Sequence, residues 1–73
     1  MKNRFRFVWG KSYANVFERD EILDVFIENG DLIVRIKGDY EDMCKNWTFR
    51  GDYEDVENAF NAFWDWMDKC DEE

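Results

Sequence analysis

Histidine and proline are absent from these 73 residues, cysteine occurs twice and glycine four times. Without His, no side chain has an ordinary titration near neutral pH, which removes the usual general base. Two thiols, Cys44 and Cys70, are too few ligands for a structural zinc site. Gly10, Gly30, Gly38 and Gly51 stand apart from one another, so each marks a turn and none belongs to a phosphate-cradling loop. No stretch approaches the roughly 20 apolar residues of a membrane span. The opening MKNRFRFVWG is basic but has no apolar core or cleavage site, so no signal peptide is expected. With nothing else to suggest an oxidising compartment, the two cysteines are expected as buried thiols in a cytoplasmic protein; one disulfide is the alternative. Carboxylate pairs are abundant, but 18 acids in a short chain produce them by composition alone. A catalytic cleft would also compete with the core for so few residues. The expectation is a protein that is not an enzyme and holds no cofactor.

Positive charge is the other shortage. Ten bases against 18 acids leave a net −8. The imbalance is uneven, because residues 1–11 hold Lys2, Arg4, Arg6 and Lys11 with no acid, so the remaining 62 residues carry −12. Such a body disfavours direct nucleic-acid binding, which needs a basic face, and favours a protein partner with a basic surface. Aromatic residues make up 19% of the chain, including four Trp and seven Phe. Each buries about 150–250 Å² when packed, so a single domain over residues 1–73 can assemble a core despite its size.

The pattern is clearest at 22–37, ILDVFIENGDLIVRIK. Asn29-Gly30 lies between two alternating runs, the strongest local signal for a two-residue hairpin. Folding about that turn sets Glu28 against Asp31, Ile27 against Leu32, Val25 against Val34 and Leu23 against Ile36. One face, Leu23, Val25, Ile27, Leu32, Val34 and Ile36, is then aliphatic, while the other carries Ile22, Asp24, Phe26, Glu28, Asp31, Ile33, Arg35 and Lys37. A slip of one residue would drive charge into the apolar layer, which fixes the register.

Before the hairpin, 4–9 alternates as a half-buried strand with Phe5, Phe7 and Trp9 on one side. Placed beside the hairpin, Arg4 and Arg6 would meet Asp24 or Glu28. Segment 11–21 has two readings. Tyr13, Val16 and Phe17 suit a short helix capped by Ser12, whereas Tyr13, Asn15 and Phe17 alternate as a strand; the irregular or helical reading is preferred. After the hairpin, Gly38-Asp39-Tyr40-Glu41-Asp42 is echoed by Gly51-Asp52-Tyr53-Glu54-Asp55. In each copy Gly leaves a strand and Asp can cap a helix, with Asp52 and Asp55 resembling a capping box. The first copy starts at most one turn, because 46–50 reads as a fourth strand with Trp47 and Phe49 on one face.

The last segment is helical. Tyr53, Val56, Phe60, Phe63, Trp64, Met67 and Cys70 fall on one face at about 100° per residue, with Ala59 and Trp66 at its margin. Acids crowd the opposite face and the C-terminal turn, where the helix dipole disfavours them. Fraying of that end would relieve the cost. The fold expected is α+β, a small antiparallel sheet of three to four strands around the 22–37 hairpin, with the helix packed on one face.

Function is read from charge. Carboxylates on a small rigid scaffold can imitate phosphate spacing and occupy the basic groove of a nucleic-acid-binding protein or enzyme. That describes an inhibitor of the phage or mobile-element kind, including anti-restriction and anti-CRISPR types. Its contact residues would be Glu54, Glu57, Asp65, Asp68 and Glu72, with Trp66 as an exposed aromatic anchor. The second reading is an adaptor or small subunit that docks through an aromatic patch or the sheet face, as monomer or homodimer, with the acids only as solvated surface. An artificial scaffold is a third, against which the irregular 11–21 segment counts. Arg50-Gly51-Asp52 matches a receptor-binding tripeptide, but strand exit and helix start already account for it.

Overall fold

A computed structural model of the protein describes residues 3–40 and 42–72; Lys2, Glu41 and Glu73, which entered the arguments above, lie outside them. Strand β1 (Arg4–Trp9) reverses through Gly10, held at φ 62°, and pairs antiparallel with β2 (Tyr13–Glu18). A short 3-10 turn, Arg19–Glu21, leads into β3 (Ile22–Glu28). Asn29 at φ 53° and Gly30 at φ 83° then turn the chain into β4 (Asp31–Lys37). Two successive positive φ values make the tight reversal whose twist matches that of the flanking strands. β5 (Cys44–Phe49) adds to the other edge of β4, and α1 (Tyr53–Asp71) closes the chain. The result is an α+β fold with two antiparallel sheets, β1-β2 and β3-β4-β5, and a helix packed on the larger one.

The expected hairpin register holds from Glu28↔Asp31 through Asp24↔Arg35 and then shifts. A bulge between Ile22 and Asp24 sets Ile22, rather than Leu23, opposite Ile36. Ile22 is therefore buried while Leu23 is 50% exposed. Ile27, near the tip of the hairpin, is also exposed. The apolar layer that remains, Ile22, Val25, Leu32 and Val34, meets Val56, Phe63 and Met67 of the helix.

Segment 11–21 resolves as β2 and the 3-10 turn, correcting the preference for an irregular or helical stretch. Pairing with β1 decides it, because Phe5↔Phe17 and Trp9↔Tyr13 put the aromatic residues of both strands on one face. β1 does not join the larger sheet, so Arg4 meets Glu18 across its own hairpin, at 3.3 Å, instead of Asp24 or Glu28. The 3-10 turn is closed by the Glu18 N–H donating to Glu21 Oε1 at 3.0 Å. Trp9 Nε1 donates to the Arg50 carbonyl at 3.1 Å and pins β1 to the link between β5 and α1. A Cβ at Gly51 would lie 2.8 Å from the Trp9 ring, so this approach requires glycine.

One core joins these layers. Phe7 lies 4.8 Å, centroid to centroid, from Phe63 and 5.0 Å from Phe49; Phe5 lies 4.9 Å from Phe63 and 5.1 Å from Trp66. Trp66 is only 9% exposed, stacked on Phe5, which corrects its expected place as an exposed anchor. The buried face of α1 is rotated toward Ala59 and Trp66, leaving Tyr53 71% exposed and Trp64 38% exposed. Trp64 Nε1 donates to the Val25 carbonyl at 3.0 Å, occupying a backbone acceptor on the edge strand β3.

Three smaller expectations also change. Cys44 is exposed and Cys70 half-buried, so the two are not both buried, and no disulfide joins them. Asp52 holds the N-cap position with extended backbone, but its side chain makes no capping hydrogen bond. The C-terminal turn is tied down, because Arg19 grips the Asp71 carboxylate with a two-pronged contact at 3.2 and 3.1 Å.

The Tyr13 hydroxyl is buried without a hydrogen-bond partner. A desolvated, unpaired hydroxyl costs about 1–3 kcal/mol, and its removal abolishes that cost. Tyr13→Phe is expected to leave stability unchanged or raise it by about 1 kcal/mol in denaturant titration. A clear loss of stability would mean the hydroxyl is satisfied in solution.

Candidate functional site

The expected contact acids are brought together. With about 100° per residue, Glu54, Glu57, Asp65, Asp68 and Glu72 fall within an arc of roughly 80° on the side of α1 facing away from the core. All five are exposed. They run the length of the helix, roughly 27 Å from first to last at 1.5 Å per residue. That is a mean spacing of about 7 Å along the axis, against one phosphate per 3.4 Å along one strand of duplex DNA. Glu54 and Glu57 form one group and Asp65, Asp68 and Glu72 another, with about 12 Å between the groups. Within each, neighbours are about 5–6 Å apart along the axis, inside a Debye length of about 8 Å at physiological salt, so their fields add.

Four of the bases among the described residues are paired with acids outside the stripe. Arg4 pairs with Glu18, Arg19 with Asp71, Lys45 with Asp39 and Arg50 with Asp31. On the face itself the one base is Lys69, 3.2 Å from Asp65 one turn earlier. Both partners are well exposed, and such a pair contributes a few tenths of a kcal/mol at most. Among the described residues, Glu54, Asp68 and Glu72 make no ion pair.

Glu57 has one further neighbour. The Tyr53 hydroxyl hydrogen-bonds to it, and that bond, followed by the carboxylate's negative charge, raises the phenol above its ordinary 10.0. Tyr53 therefore stays neutral and donating throughout the physiological range, holding Glu57 at the N-terminal end of the stripe. Glu54 and Asp55 stand in the first turn, where the helix dipole favours them.

Trp66 does not belong to this face; the exposed aromatic residues of α1 beside it are Tyr53 and Trp64. The residues missing from the sequence-based set are Arg19 and Asp71, whose contact fixes the end of the helix. Their separation of 52 residues leaves no local signal for it.

Among the described residues no group of three or more Cys, Asp or Glu is arranged to hold a metal ion, and no helix is long and apolar enough to cross a membrane. Compared with protein-family models, curated proteins and solved structures, the chain matches none.

Proposed function

We propose that this protein is a binding inhibitor that offers the acidic face of α1 to the phosphate-reading surface of a nucleic-acid-binding protein or enzyme. The observation behind this reading is the stripe itself: five exposed carboxylates along one helix, with Lys69 the only base in an ion pair with them among the described residues. The two-pronged Arg19 contact and the buried opposite face hold that helix in place, so little ordering accompanies binding. A partner that reads phosphates places Lys and Arg side chains along a groove, and the stripe would compete for them. Small size and acidity suit an inhibitor carried by a phage or mobile element, of the anti-restriction or anti-CRISPR kind, acting in the cytoplasm.

The test compares wild type with the Glu54→Lys, Glu57→Lys, Asp65→Lys, Asp68→Lys variant. Four reversals cancel the net charge of −8, and proteins near neutrality tend to precipitate, so an amide version (Gln and Asn at the same positions) accompanies it. Partners are captured from a lysate on the wild type and eluted with duplex DNA or with RNA. The expected result is a nucleic-acid-binding protein released by either competitor, whose affinity falls about tenfold or more from low to moderate salt. Both variants should lose that binding while their melting temperatures stay within a few degrees of wild type. A partner held at high salt, indifferent to nucleic acid and to the substitutions, would replace this reading with the adaptor.

A further inference from the structure

A groove of about 630 Å³ runs between β1 and the N-terminal half of α1. Its two walls differ in kind. Six consecutive residues, 5–10, form one wall. Side chains alternate along a strand, so a wall that uses every residue in turn is the strand's backbone edge. β1 pairs with β2 on its other side, and among the described residues this outer edge has no strand beside it. The opposite wall is Asp55, Asn58, Ala59 and Ala62, spaced as one face of the helix. This face is distinct from the acidic stripe. Two of its side chains are single methyl groups, which leaves room beside the strand.

We propose that this groove binds an extended peptide as an added strand on β1, with apolar residues alternating with acidic ones. The backbone edge would supply the hydrogen bonds of strand addition, and the two faces of β1 would set the preference for side chains. An added strand lies about 4.8 Å from β1, with its side chains falling beside those of β1 on each face. On the inner face they would meet Phe5, Phe7 and Trp9, which favours apolar residues. On the outer face they would meet Arg4, which already pairs with Glu18, and then Arg6 and Val8, which favours Asp or Glu opposite Arg6. Arg50 at the rim adds a second cation; its Nε faces Asp31 at 3.5 Å, and the side chain is 84% exposed. Asp55 is the groove's one acid, so the groove is locally cationic in a chain of net charge −8. The wall spans about 17 Å, enough for five or six residues of a strand. A second copy of β1 is the weaker occupant, because it would bring its own Arg4 and Arg6 to an edge already bearing both.

The test is selection from a displayed library of random twelve-residue peptides on the wild type, with counter-selection on Ala62→Arg. Ala62 is exposed, so the Arg variant should fold, as circular dichroism can verify, while its side chain fills the groove. Enriched peptides should alternate apolar with Asp or Glu and slow amide hydrogen exchange in β1. They should also lose at least tenfold in affinity on Ala62→Arg or when alternate peptide nitrogens are methylated. On Arg6→Glu, the same selection should yield Lys or Arg in place of the acids. The proposal fails if no alternating acidic peptide is enriched, or if binding survives both the blocked groove and N-methylation. It also fails if β1 amides become protected with protein concentration alone, which would make a second copy the occupant.

Discussion

Phe63→Ala is expected to lower the melting temperature by roughly 15–30 °C. Phe63 is fully buried and touches every layer of the molecule: Phe5 and Phe7 of β1, Phe17 of β2, and the apolar side of the larger sheet. Truncating a buried Phe costs about 3–5 kcal/mol, from lost burial and from the cavity that remains. A domain of this size is held by only about 4–11 kcal/mol, so the variant would retain at best a small margin. In a domain of 60–100 residues each kcal/mol moves the midpoint by about 4–8 °C. The cavity has little prospect of closing, because its walls belong to two sheets and a helix that are already held in place by other ring contacts, such as Phe7 and Tyr13 each 5.0 Å from Phe49. Differential scanning calorimetry decides the matter. A fall of only a few degrees would mean that the sheets collapse freely onto one another, contrary to the interlocked ring contacts.

Trp66→Ala is expected to cost about 3 kcal/mol, where a surface tryptophan would cost less than about 0.5 kcal/mol. Its ring stacks on Phe5 at 5.1 Å and stands edge-on to Phe63 at 6.5 Å. The cost falls below that of Phe63 because its rim still reaches solvent. Urea titration should show an earlier midpoint with an unchanged slope, the sign of lost stability without a changed unfolded state. Trp64→Ala is the internal comparison. It removes a half-exposed ring and the bond to the Val25 carbonyl, so a smaller loss, near 1 kcal/mol, is expected there. If the two losses ranked in the opposite order, the rotation of the helix about its axis would be wrong.

The Asn29-Gly30 turn was legible because both residues tolerate positive φ and the flanking alternation admits one register. The bulge at Leu23 was not, since Ile22 and Leu23 are both aliphatic and either could face inward. Segment 11–21 carried two periodicities at once. What selected the strand was β1, whose aromatic face needed Phe17 and Tyr13 beside it, and a partner ten or more residues away is invisible to local pattern. The helix was read correctly in extent but not in rotation. A single covering layer would have buried Trp64 and left Trp66 at the margin; the β1-β2 hairpin forms a second wall and pulls the buried face toward Ala59 and Trp66. The acidic stripe survives because solvent-facing positions depend only on helical spacing. The groove could not be foreseen, since it exists only where the unpaired edge of β1 faces Ala59 and Ala62.

The order of strand pairing also governs how the molecule comes together in time. Every pairing joins strands adjacent in the chain: β1 with β2, β3 with β4, β4 with β5. Each hairpin therefore closes a short loop at small entropic cost, and neither sheet waits for distant chain. Ring contacts unite the sheets directly, Phe7, Trp9 and Tyr13 meeting Phe49 and Tyr13 meeting Trp47, while Phe63 of α1 meets Phe5, Phe7 and Phe17. The rate-limiting event should then be the meeting of three ready-made pieces, the β1-β2 hairpin, the three-stranded sheet and α1, around Phe49 and Phe63.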